Sequence, residues 1–160
     1  MRSKLRAKIE DIPLLGAYLH DSDFTPSDFH FDPGQNKFHI QIERIAYEEV
    51  ERGKAFFIIP VVRYPKVSSR LVITGIEKME IEWFDDAFNE PDDRHQLLEI
   101  DTKDDKTIEL FSEYMKIILS HGGRVELFLE DESDSGAKDA VTDFFGSVFE
   151  GLDEINKLRM

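Results

Sequence analysis

The sequence predicts an α+β domain: a mostly antiparallel, strongly curved sheet or partly closed barrel, with a short N-terminal helix and a long C-terminal helix packed on it. Three observations carry this expectation. Apolar and polar residues alternate with a period of two through much of the chain from Phe29 to Leu129, as half-buried strands require. Clusters of Gly, Pro, Asn and Asp punctuate these runs and supply turns. From Val141 the rhythm lengthens, and Val141, Phe144, Phe145, Val148, Leu152 and Ile155 recur at helical spacing, which places one apolar stripe on a helix.

Taken in order, residues 1–8 form a basic tail, and residues 9–160 form a single globular domain. Asp11 is placed to cap a short helix with Pro13 in its first turn, and Ile12, Leu15 and Leu19 share one face. His20-Asp21-Ser22-Asp23 ends that helix. A hairpin follows, Phe29–Phe31 and Phe38–Ile42, joined through Asp32-Pro33-Gly34-Gln35-Asn36-Lys37. If Phe31 pairs with Phe38 across this turn, His30 lies opposite His39, with Cβ atoms about 5 Å apart. The second strand is expected to run to a turn at Glu51-Arg52-Gly53.

Ala55–Ile59 is a continuous apolar run, suited to a buried strand or to a homodimer contact. Tyr64-Pro65-Lys66 reads as a loop and Arg70–Thr74 as a strand, with Gly75 marking a bulge or bend. Met79, Ile81 and Trp83 alternate with Glu80 and Glu82, and Asp85–Arg94 is a polar loop. Leu97–Ile100 and Thr107–Phe111 flank a second hairpin turn. Lys116–Leu119 and Val125–Leu129 are the last strands, separated by a turn at Gly122-Gly123. Glu130–Gly136 is a polar connection in which Asp134 or Ser135 caps the final helix. Pleckstrin-homology-like barrels, a curled sheet closed by a C-terminal helix, are the architectural alternative, and such an analogy carries no function.

Composition narrows the function. The chain has 160 residues, 41% of them hydrophobic, enough for a real core. Its formal net charge is −14, and residues 1–8 hold four basic side chains and no acidic one, so the remainder is more acidic still. Such a body repels phosphate backbones, which argues against nucleic acid and favours a basic protein partner. No apolar run approaches the roughly 20 residues of a membrane span, and no apolar segment follows the basic start, so a cytoplasmic location without membrane contact is expected. The absence of cysteine removes disulfides, thiol catalysis and cysteine-ligated zinc. No phosphate-cradling glycine loop is present, and no cofactor is expected.

Three constellations remain. Glu80, Glu82, Asp85, Asp86, Glu90, Asp92 and Asp93 fall in a stretch without a basic residue, beside Trp83. Together they are the expected partner-docking surface, with Trp83 as its anchor. The His30/His39 pair is the candidate metal site of an alternative reading, a metal-dependent enzyme, with Asp28 or Asp32 as third ligand. His20, Asp21 and Ser22 have the residue types of a hydrolytic triad, but adjacent positions seldom converge on one atom.

Leu19-His20-Asp21-Ser22, Glu43-Arg44-Ile45-Ala46-Tyr47-Glu48 and Leu71-Val72-Ile73-Thr74-Gly75-Ile76, followed by Gln96–Ile100 and Leu127–Asp131, occur in the order seen in a small bacterial family catalogued as a domain of unknown function. The chain resembles that family over about residues 10–132. Glu43 stands where the family has Asn, and Tyr47 where it has Trp. The Leu-His-Asp-Ser opening is also similar to that of some small acidic bacterial immunity proteins. These likenesses imply a bacterial protein and lend no catalytic residue. The function expected is a non-enzymatic protein-binding module using an acidic surface, of adaptor, inhibitor or immunity type.

Overall fold

The computed structural model describes residues 4–46, 48, 51–55 and 59–139. They form nine antiparallel strands and one short helix. Strand β1 is Lys4–Ala7, helix α1 Ile12–Leu19, β2 Ser22–Phe24, β3 Phe29–Asp32 and β4 Lys37–Ile45. Strand β5 is Glu51–Ala55, β6 Ile59–Trp83, β7 His95–Asp104, β8 Thr107–Ser112 and β9 Met115–Asp139.

This corrects the expected fold class. The described residues are antiparallel sheet with α1 as their sole α-helix, so an α+β plan with a long C-terminal helix does not describe them. The helix expected over residues 141–155 lies outside the described residues. The residues expected to lead into it are strand: Asp134 pairs with Val67 and Gly136 with Lys66, so neither Asp134 nor Ser135 is a helix cap. Ladder bonds join backbone to backbone, and a polar composition alone does not end a strand.

The pairings run in a circuit, β9 to β8, β7, β2, β4, β6 and back to β9. The long strands β6 and β9 pair along nearly their whole lengths, from Arg63 opposite Asp139 to Trp83 opposite Met115. The circuit is thinnest between β2 and β4, where Asp23 opposite Glu43 is the sole register pair. These like charges are relieved by Lys66, 3.4 Å from Asp23, and by Arg94, within 4.0 Å of Asp23 and 3.9 Å of Glu43.

Alternation explains the core. Phe38, Ile40 and Ile42 of β4, Leu71 and Ile73 of β6, and Leu127 and Leu129 of β9 point inward and are buried. In β6 the inward phase slips twice, from Ile73 to Ile76 and then to Met79, and the pairing with β9 shifts register at the same two places. Gly75 makes the first slip possible. Its φ is +87°, and a Cβ there would lie 2.0 Å from the Arg124 carbonyl oxygen, so only glycine fits. Asn36, itself at φ 50°, offers one carbonyl to both Gly75 N and Ile76 N at 2.9 Å. The β3–β4 turn is thereby pinned to the bulge.

Helix α1 forms as its signals require. Asp11 is the N-cap residue and Pro13 sits in the first turn, while Ile12, Leu15 and Leu19 enter the core. The Asp11 side chain accepts from Lys8 N rather than from the helix. Other expectations are revised. Lys4–Ala7 is not a tail but a strand on β9. Glu51–Gly53 lies in β5, not in a turn, and Tyr64–Lys66 lies in β6, not in a loop. Ala55 and Ile59 are cross-strand partners, so Ala55–Ile59 spans the β5–β6 connection rather than forming one strand. Residues 56–58 lie outside the described residues. Gly122 and Gly123 lie within β9, at an irregularity of the β6 ladder, instead of joining two strands. Among the described residues no helix is long and apolar enough to cross a membrane.

Candidate binding face

Glu80 and Glu82 stand on the outward phase of β6, and the register carries their rows across three more strands. Glu80 faces Ile118 of β9, Ile118 faces Glu109 of β8, and Glu109 faces Asp101 of β7. The next row is Glu82, Lys116, Phe111 and Glu99. Five carboxylates from three strands therefore share one face with the half-buried Ile118 and Phe111; Glu80, Glu82, Glu99 and Asp101 are exposed, whereas Glu109 is buried. Lys116 sits between the rows, 2.9 Å from Glu109 and 3.2 Å from Glu82, and these carboxylates raise its pKa. Lys78 reaches Glu80 at 2.7 Å in an exposed pair. The face keeps a negative excess after both lysines are counted.

The placement of the remaining expected docking residues is mixed. Trp83 is on the inner side of β6, packed against the core with its ring 6.0 Å from that of His95. It is not an anchor on the acidic face. Asp85 accepts from Ala87 N and Asp93 from Glu90 N, each at 2.9 Å, so both carboxylates hold the loop's turns. Asp86, Glu90 and Asp92 are exposed in that loop. Sequence reading missed Glu99, Asp101 and Glu109. Their signal was the second hairpin; its expected Asp101–Lys106 turn is corrected, since Asp101–Asp104 belong to β7 and set Asp101 opposite Glu109 in the ladder.

A groove of about 590 Å³ borders this face between α1 and β7, lined by Pro13, Gly16, His20, Leu98, Ile100 and Asp101 among others. At Gly16 the helix lies close to β7: a Cβ there would stand 3.4 Å from Ile100 Cγ2, an ordinary contact. Leu98 lies where the β7–β8 register slips, between Leu97 and Glu99, and is 40% exposed. Leu14, on the adjoining helix, is 65% exposed.

The other two constellations resolve differently. His30 is paired with His39, as the Phe31–Phe38 register requires, and the ring centroids are 5.6 Å apart. The carboxylates expected to complete a metal site are turned to local structure. Asp28 accepts from Thr25 N at 2.8 Å and Thr25 Oγ1 at 2.9 Å, and Asp32 from Gly34 N at 2.9 Å. Among the described residues no group of three or more metal-ligating side chains is gathered. His20 Nδ1 donates to the Leu98 carbonyl at 2.9 Å, whereas Ser22 is fully buried on the inward side of β2, so the two do not form a nucleophile–base pair.

One polar cluster was not foreseen. Arg44 follows Ile40 and Ile42 on the inward phase of β4 and is completely buried. Its Nε and Nη2 donate to Asp131 of β9 at 2.8 and 2.6 Å, and Nη2 and Nη1 to Glu48 at 2.6 and 3.2 Å. Ser69 of β6 donates to Asp131 at 2.6 Å, and Tyr18 of α1 places its ring 5.5 Å from the guanidinium carbon. These bonds hold Arg44 firmly protonated against the opposing effect of burial. With its guanidinium fully buried and every partner close, the cluster ties together α1, β4, β6 and β9 and is structural.

No family model, curated protein or solved structure matches the chain. Its functional reading therefore rests on the side chains themselves.

Proposed function

We propose that this chain is a non-enzymatic protein-binding module that takes up a basic partner on the outer face of β6–β9–β8–β7. The observation that supports this reading is four exposed carboxylates gathered on one face, Glu80 and Glu82 of β6 and Glu99 and Asp101 of β7, beyond the buried Glu109 that Lys116 already meets at 2.9 Å. Concentrating these exposed carboxylates on one face is better explained by a surface that must attract positive charge than by solubility, which dispersed charges supply equally well. The neighbouring groove with exposed Leu98 adds apolar contact, which a charged surface alone lacks. Such a module is of adaptor, inhibitor or immunity type.

The experiment is calorimetric titration with a synthetic peptide rich in lysine, arginine and leucine. Binding is expected at low salt and is lost at about 0.5 M salt, where screening acts within a few ångströms. Asp101→Lys weakens it about fivefold or more, while Asp92→Lys, the same change of net charge in the loop, has a much smaller effect. Equal effects of the two reversals would show a response to net charge alone and defeat the assignment of this face.

A further inference from the structure

The outer face of the β3–β4–β6 sector carries the opposite charge pattern. Alternation turns Lys37 and His39 of β4 outward, and the hairpin register adds His30 of β3. Arg70 enters from β6, one outward position from Val72, the cross-strand partner of His39. With Gln35 of the turn these residues line a hollow of about 360 Å³. Four basic or potentially basic side chains thus surround one depression on a chain of formal net charge −14.

The carboxylates around it are already engaged. Asp32, on the hollow's rim and opposite Lys37, accepts from Gly34 N at 2.9 Å and Gln35 N at 3.2 Å. On β9, Glu130 lies opposite Arg70 but is 2.6 Å from Lys4, and Glu126 is 2.9 Å from Arg6. Glu132 accepts from Gln41 at 3.0 Å and stands 3.3 Å from Arg70, with both members of that pair exposed. Exposed pairs of this kind contribute little and exchange readily for a better anion. The local field is positive: burial first, then His30, Arg70 and Lys37, hold the His39 imidazole below its ordinary 6.5.

We infer that this hollow binds a tetrahedral oxyanion of the phosphate class through His30, His39, Lys37 and Arg70. A guanidinium fork and an ammonium group are the usual donors to such oxygens. Two imidazoles with ring centroids 5.6 Å apart add N–H donors. A metal cation is the poorer occupant, because Lys37 and Arg70 repel it. This site is independent of the acidic face and stands or falls without it.

The test is an NMR titration of the His30 and His39 ring signals with inorganic phosphate and with sulfate, against sodium chloride at matched ionic strength. Sulfate stays dianionic throughout, so its pH dependence reports the protein alone. Saturable shifts of both rings are expected at about pH 5.5, with affinity about tenfold lower at about pH 8, where the His39 imidazole is neutral. Saturating sulfate raises the His39 titration midpoint. His39→Gln and Arg70→Gln, both outward-facing, each weaken binding about fivefold or more while leaving the amide spectrum otherwise native. Linear shifts equal to those with chloride, or variants that bind sulfate as the parent does, overturn the inference. Saturable zinc binding without sulfate binding overturns it in favour of the metal reading.

Discussion

Arg44 decides more of this structure than any exposed charge. Its guanidinium is shared between Asp131 and Glu48, and removal of Asp131 would leave it buried with half its partners gone. Breaking a buried pair from one side costs about 3–5 kcal/mol. Asp131→Ala is therefore expected to lower the urea-unfolding free energy by about 3 kcal/mol, whereas Lys4→Ala, at a largely exposed pair with Glu130, changes it by less than about 1 kcal/mol. Equal losses would mean that the buried cluster is not a structural tie. His121 gives a pH signature. It is buried, Gly123 N donates to its Nδ1 at 3.0 Å, and burial lowers its pKa from 6.5 against the opposing pull of Asp104 and Glu77. The unfolded chain then takes up the proton first, so this contribution is complete above about pH 6.5 and is lost as the pH falls through the lower folded value. Urea midpoints compared above and below that range, for the parent and for His121→Gln, should show part of the acid loss disappearing in the variant. An unchanged difference would contradict it.

Among the elements, what was legible in the sequence depended on whether local rules were in charge. The β3–β4 hairpin, the His30–His39 register and α1 followed from turn residues, alternation and caps, and the structure has all three. The long strands were misread as several short ones. Gly75, Tyr64-Pro65-Lys66 and Gly122-Gly123 look like punctuation, yet β6 and β9 run through them because each is the other's partner along the ladder. Pairing between residues far apart in the chain overrode local signals there. The same reason hid Glu109 and Asp101, which form one face with Glu80 only once β7, β8, β9 and β6 lie side by side. The bulge itself can be tested. Gly123 is at φ +100° with open space around it, whereas a Cβ at Gly75 would strike the Arg124 carbonyl. Gly123→Ala should cost about 1–2 kcal/mol from backbone strain alone. Gly75→Ala should lower the unfolding temperature clearly further, and equal shifts would show that the close approach at Gly75 is unimportant.

At the scale of the whole molecule, charge is sorted by face. The β6–β9–β8–β7 sector presents Glu80, Glu82, Glu99 and Asp101, while the β3–β4–β6 sector gathers His30, Lys37, His39 and Arg70. One strand, β6, serves both, because its outward phase carries arginine at its middle and glutamates towards its end. A rigid sheet presenting fixed charges suits recognition: the groups need not be ordered again when a partner arrives. The central claim is that the acidic sector, and not the Asp85–Asp93 loop, receives that partner. The most direct measurement is amide NMR mapping of the lysine- and arginine-rich peptide on the intact chain at low salt. The account predicts saturable perturbations centred on Asp101, Glu109, Ile118 and Leu98. Perturbations confined to the Asp85–Asp93 loop, or spread evenly over every acidic residue, would contradict it.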